Sequence, residues 1–283
     1  MTLARSVAAE TLDALAADDP AARRSRRDLQ RVHRAMGTRS IMLRAWPGLT
    51  AAHRGTAPLR VLELGAGDGS LMLGVARTLA LAPGSAPVEL TLLDRLALVE
   101  PATLARYAQA GWRATAMVAD VLDWAASAAA VPGAGAAPAR AGAAAEAEAE
   151  AEARAPASGS TAAWSATGHA PARWDLIVAH LFLHHFEGAR LAALLGAIAA
   201  RSDAFFACEP RRARLALAAS HLVGALGANA VTREDAVLSV HAGFRAGELS
   251  ALWPAPRGDW QLHEHPAGLF SHCLRAQRVR ANP

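Results

Sequence analysis

The chain contains no lysine; all 29 of its basic side chains are arginine. Alanine makes up about a quarter of the 283 residues, far above its usual share in soluble proteins. Together these features read as a GC-rich coding bias. The net charge of +4 therefore says little about partners. No stretch gathers arginine with stacking aromatics, so no nucleic-acid partner is expected. Cysteine is scarce as well. Cys208 and Cys273 make neither a disulfide framework nor a zinc site, and no metal is expected. Both should pack as small apolar residues in a reducing compartment. Long apolar runs are missing, since the Ala-rich stretches are broken by Gly, Arg or His; this excludes a membrane span. Met1 to Asp18 carries Glu10, Asp13 and Asp18 and no long apolar run, so it does not read as a signal peptide. A cytoplasmic protein is predicted.

One segment stands apart. Residues 125–172 consist of Ala, Gly, Pro, Ser and Glu with almost no large apolar side chain. Such a stretch cannot offset its ordering entropy by burial. Glu146, Glu148, Glu150 and Glu152 also place like charges at i,i+4, which weakens an Ala-rich helix. The segment reads as a low-complexity, disordered surface insertion. Removing it leaves about 235 residues, the size of one ordinary domain. The predicted organisation is an N-terminal helical cap over residues 1–50 and a single domain over 51–283 that the insertion interrupts.

The remainder alternates strand-like and helix-like runs. Strands are predicted over Leu59–Leu64, Val88–Leu93, Ala114–Ala119, Trp174–Ala179 and Ala204–Cys208, with helices over Ser70–Ala82, Pro101–Ala110 and Ala189–Ala200. That alternation implies an α/β fold with a doubly wound parallel sheet. Trp260–His265 and Leu269–Gln277 flank Pro266-Ala267-Gly268 and predict a C-terminal antiparallel hairpin. In the N-terminal region, Asp19-Pro20 is a helix-start signal. Leu29, Val32 and Met36 then share one face, which suits an amphipathic helix that packs on the sheet domain and serves as a lid. Residues 211–254 read as mainly helical, with Thr232 as a cap and Asp235 three residues on.

The richest segment is Val61–Ala76, VLELGAGDGSLMLGVA. A buried strand runs through Glu63 into Gly65-Ala66-Gly67-Asp68-Gly69, and a helix follows. Glycine serves where a chain turns sharply or a ligand touches backbone, and this edge of a parallel sheet is the usual ligand crevice. The dinucleotide fingerprint G-x-G-x-x-G is not met, because the third glycine falls one residue early. No Arg or Lys sits in the turn to answer a phosphate, and Glu63 and Asp68 would repel one. The turn suits a ligand with a cationic end and no phosphate.

From Leu59 to the C-terminus, apart from the insertion, the chain resembles the class I S-adenosylmethionine-dependent methyltransferases. The resemblance implies a Rossmann-like seven-stranded sheet whose antiparallel last strand matches the hairpin. It implies S-adenosylmethionine as cofactor, with Glu63, Gly65, Ala66, Gly67 and Gly69 forming its turn. Asp94, with Arg95 beside it, would bind the ribose hydroxyls, and Asp120 with Val121 the adenine. Trp174–Phe186, WDLIVAHLFLHHF, resembles the segment after the fourth strand that lines the methyl-transfer site.

An acceptor phenol or enol must give up its proton, and histidine is poised for that near neutral pH. His180, His184 and His185 follow the fourth strand and are the base candidates, with one ring of the adjacent pair expected to face the site. Arg211 is a candidate to orient an anionic acceptor oxygen, and His221 and His241 lie in the segment expected to roof the pocket. The sequence has neither the Asn-Pro-Pro-aromatic run of amino-methylating enzymes nor a paired catalytic cysteine. A small-molecule acceptor is therefore expected, with O-methylation of a phenolic, quinone-type or polyketide-like metabolite. The alternatives are C-methylation of similar acceptors, an NAD-dependent oxidoreductase, or a non-catalytic binding module on the same fold. A homodimer is left open.

Overall fold

The computed structural model describes residues 3–54, 56–80, 87–127, 173–254 and 259–279. Residues 128–172, most of the low-complexity segment, lie outside the described residues. The strands are β1 (Leu59–Leu64), β2 (Val88–Asp94), β3 (Trp112–Val118), β4 (Trp174–His180), β5 (Ser202–Pro210), β6 (Trp260–Ala267) and β7 (Ser271–Arg278). They form one sheet in the order β3-β2-β1-β4-β5-β7-β6. The first five strands run parallel, and β7 inserts antiparallel between β5 and β6. The sheet is the α/β arrangement expected from the alternating runs, closed by the predicted hairpin.

Strand side chains alternate between two buried layers, as a period of two requires. Val61, Leu90, Leu176 and Phe206 face one layer with Met42, Trp46 and Met72. Leu62, Ile177, Phe205 and Leu274 face the other with Leu194, Trp253 and Trp260. Both faces are covered, so the central strands are near-continuous apolar runs. Cys208 and Cys273 are free, buried and opposite each other in the β5–β7 register.

The helices are α1 (Thr11–Ala14), α2 (Pro20–Met36), α3 (Thr38–Thr50), α4 (Ser70–Leu79), α5 (Pro101–Gln109), α6 (Val121–Ala126), α7 (Gly188–Arg201), α8 (Arg214–Ser220), α9 (Ala230–Ala242) and α10 (Glu248–Ala251). Asp19 caps α2 by accepting from the Ala21 and Ala22 amides. Gly37, at φ +69°, ends α2 and turns the chain into α3. Ile41, Met42, Trp46 and Leu49 of α3 are buried in the first layer. The cap of α9 differs from the sequence reading: Asn229, not Thr232, accepts from the Thr232 amide at 2.8 Å. Asp235 instead accepts from the amides of Thr11 and Leu12 at 2.8 and 3.0 Å, and so caps α1 from across the fold. No helix among the described residues is long and apolar enough to cross a membrane.

Candidate functional site

The strand order reverses between β1 and β4, and the crevice outside their carboxyl ends is where such sheets bind ligands. A cavity of about 800 Å³ opens there. The glycine turn forms its floor. Gly65, Gly67 and Gly69 have φ of +66°, +56° and +73°, a region that side chains rarely adopt. A Cβ on Gly65 would stand 2.2 Å from the Phe182 ring, so this position is closed to any other residue. The Tyr107 hydroxyl donates to the Gly69 carbonyl at 2.6 Å and pins the turn from beneath.

Asp94, at the end of β2, accepts from the Gly67 amide at 2.8 Å and from the Leu96 amide at 2.9 Å. Each oxygen keeps a lone pair for a further donor. Asp120 lies two residues beyond β3 and caps α6 by accepting from the Leu122 amide at 2.7 Å, while Val121 beside it is buried. Arg95 is half-exposed and reaches the N-terminal segment, donating to the Asp13 carbonyl at 2.8 Å. Gly65, Gly67, Asp94, Arg95, Asp120 and Val121 line the cavity; Gly69 and Tyr107 do not.

Glu63, on β1, is 2% exposed. His180 Nδ1 donates to its Oε1 at 3.3 Å. Glu63 Oε2 and His180 Nε2 are buried with no hydrogen-bond partner among the described residues. Burial pushes the Glu63 carboxyl up from its ordinary value, against the opposing effect of His180. A cation brought to Oε2 would relieve that cost.

The adjacent histidines occupy opposite environments. They belong to a 3₁₀ turn, Leu183–His185, that follows Leu181 at φ +50°. Glu209, fully buried at the end of β5, accepts from the amides of Phe182, Leu183 and His184 at 3.0 to 3.3 Å. His184 Nδ1 donates to the same carboxylate at 2.9 Å, and its Nε2 lies 3.4 Å from Glu10 Oε1. Burial alone would depress the His184 ring. Glu10 and Glu209 outweigh it and hold the ring up at about 9, so His184 is an imidazolium at neutral pH. His185 is lowered by burial and by the charge of His184. Its Nδ1 lies 3.4 Å from Asp13 Oδ2. Both rings line the cavity.

The roof comes from α2, α8 and α9. Leu29, Val32 and Met36 of α2 turn toward the cavity, as do Ala219 of α8 and, just past it, Leu222 and Val223. Gln30 of α2 donates to Asp68 Oδ2 at 2.7 Å and ties the roof to the glycine turn. Arg211, His221 and His241 do not line the cavity. Arg211 turns to the Gly268 carbonyl at 3.4 Å and His221 is exposed just past α8; α9 lines the cavity through Thr232, Asp235, Ala236 and Ser239, a face that does not include His241. Arg212 is buried instead, bonded to Leu3, Gly243 and Glu248. The sequence reading missed Glu10, Asp13, Gln30 and His33. They sit in the N-terminal segment and α2, where no motif marks them.

Neither a protein-family model nor a curated protein matches the chain. Solved structures do. The chain superposes on the plantazolicin methyltransferase BpumL, in complex with a monoazolic desmethylPZN analog and SAH, with a TM-score of 0.55 at 13% identity, over 92% of this chain and 91% of that one. BpumL in complex with SAH gives 0.52 at 13% identity, over 93% and 92%. The plantazolicin methyltransferase BamL, with a triazolic desmethylPZN analog and SAH, gives 0.53 at 12% identity, over 94% and 93%. The fold is therefore that of these methyltransferases, as the sequence resemblance implied.

Proposed function

We propose that the chain is an S-adenosylmethionine-dependent methyltransferase that methylates an oxygen of a small phenolic, quinone-type or polyketide-like acceptor. The observation that carries this reading is Glu63 Oε2, a buried carboxylate oxygen without a partner among the described residues, beside a glycine turn that has no cationic side chain. That pairing suits a ligand with a positive charge and no phosphate. The shared fold with enzymes described in complex with SAH supports it. When bound, S-adenosylmethionine supplies a methyl group activated by a sulfonium.

The chain's own residues divide the work. Glu63 Oε2 is the acceptor for the ligand's amino group, and the remaining lone pairs of Asp94 suit two ribose hydroxyls. Asp120 and Val121 bound the adenine. His180, oriented through Nδ1 by Glu63, presents an Nε2 with no partner among the described residues. It is the group to take the proton that an acceptor hydroxyl loses. His184 does not fit that role, because it already holds its proton between two carboxylates. The apolar faces of α2 and of the segment after α8 suit a largely apolar acceptor. Transfer from a sulfonium is an in-line displacement, so alignment of acceptor and methyl supplies much of the rate.

Incubation with methyl-labelled S-adenosylmethionine and a panel of phenols and quinols tests this. Label should enter an acceptor oxygen, and His180→Gln should slow transfer by about 10²-fold or more. Saturable NADH binding with no transfer of label would overturn the reading in favour of an oxidoreductase.

A further inference from the structure

Three side chains on the cavity wall have no part in the transfer described above: Glu10, His184 and His185. Their ligating atoms lie within 4.8 Å of one another. With Nδ1 of His184 donating to Glu209, Nε2 is the ring atom left to face the cluster. It is buried and carries no hydrogen bond among the described residues, although Glu10 Oε1 is only 3.4 Å away. Two ligands held about 2.0–2.1 Å from a tetrahedral ion stand roughly 3.3–3.4 Å apart. The separation therefore suits two atoms that share an ion.

The surroundings fit the same chemistry. A carboxylate behind the second ring nitrogen is what metal-bound histidines usually have. Glu209 fills that position for His184 and is itself fixed by three backbone amides. His185 brings a second imidazole, its ring centroid 4.3 Å from that of His184. We propose that Glu10, His184 and His185 bind one divalent transition-metal ion of the zinc class, which displaces the Nε2 proton of the metal-free His184 ring and keeps a coordination position open to the cavity. Two imidazoles and one carboxylate favour such an ion over magnesium or calcium, which take oxygen donors.

The ion site stands independently of methyl transfer. Its consequence for substrate choice rests on the methyltransferase reading: the acceptor would be one with an oxygen able to ligate the ion, which lowers the proton affinity of that oxygen. The experiment uses the full chain after dialysis against a chelator. Co²⁺ is titrated by visible absorption, Zn²⁺ by calorimetry, and S-adenosylhomocysteine is titrated separately. One Co²⁺ per chain, displaced by Zn²⁺, is expected, and Zn²⁺ should raise the melting temperature. Glu10→Gln and His185→Asn should each weaken Co²⁺ binding at least tenfold while keeping S-adenosylhomocysteine affinity. Absence of stoichiometric Co²⁺ binding and of a Zn²⁺-dependent melting shift in the wild type would overturn the proposal. So would both variants binding Co²⁺ as the wild type does. Loss of S-adenosylhomocysteine binding with Co²⁺ binding intact would sink the methyltransferase reading and leave the ion site standing.

Discussion

His33 is a ring of α2 that lines the cavity, its Nδ1 buried and without a partner among the described residues. Burial and the neighbouring His180 push it down to about 4, against the opposing charges of Asp68 and Glu209. In the unfolded chain a histidine titrates near 6.5. Between those values the unfolded state binds the proton first, so stability falls as pH drops from about 6.5 to 4. At pH 5 the loss from this one ring is up to about 2 kcal/mol. Urea unfolding at pH 7 and pH 5 should show a smaller loss in His33→Gln than in the wild type; equal losses would contradict the assignment. Residues of this kind were not legible in the sequence, because an isolated histidine in an Arg-rich helix carries no signal. The opposite holds for Glu63, Gly65, Gly67 and Asp94. Their placement at the crevice comes from short-range geometry, strand ends beside a turn with positive φ, and local spacing encodes that.

At the scale of elements, the strands were readable because burial on both faces demands unbroken apolar runs. β3 begins at Trp112, two residues ahead of its predicted start, because the register pairs Trp112 with Val88. The segment before α2 was the least readable element. It is held by contacts that are distant in sequence: Asp235 on the amides of Thr11 and Leu12, Ser239 on Glu10, and Arg5 on the carbonyls of Ala242 and Phe186. Asp235→Ala removes the acceptor for two amides, at a cost of about 1–2 kcal/mol. Limited proteolysis should then cut within residues 3–18 faster than in the wild type, with little change in the sheet domain. Unchanged cleavage would mean that the other bonds suffice to hold the segment.

At the scale of the whole molecule, both flanks of the low-complexity segment are tied to the junction of α7 and β5. Arg201 donates to the Ser127 hydroxyl at 3.0 Å, and Arg173 donates to the carbonyl of the next residue, Ser202, at 2.8 Å. We propose that residues 128–172 are an insertion that the domain does not need. Replacing them with a short Gly-Ser linker should leave the melting temperature and S-adenosylhomocysteine affinity within error of the full chain. A large loss of either would assign the segment a part in the domain. The charge balance follows the same division, since this stretch holds four of the 25 acids and two of the 29 arginines.

Equilibrium binding reads out the acidic glycine turn itself. Calorimetry should show one S-adenosylhomocysteine per chain in the wild type. Removing a charged hydrogen-bond acceptor costs about 1.5–3 kcal/mol, so Asp94→Ala should bind about 10- to 100-fold more weakly. No binding by the wild type, or unchanged affinity in Asp94→Ala, would contradict the account.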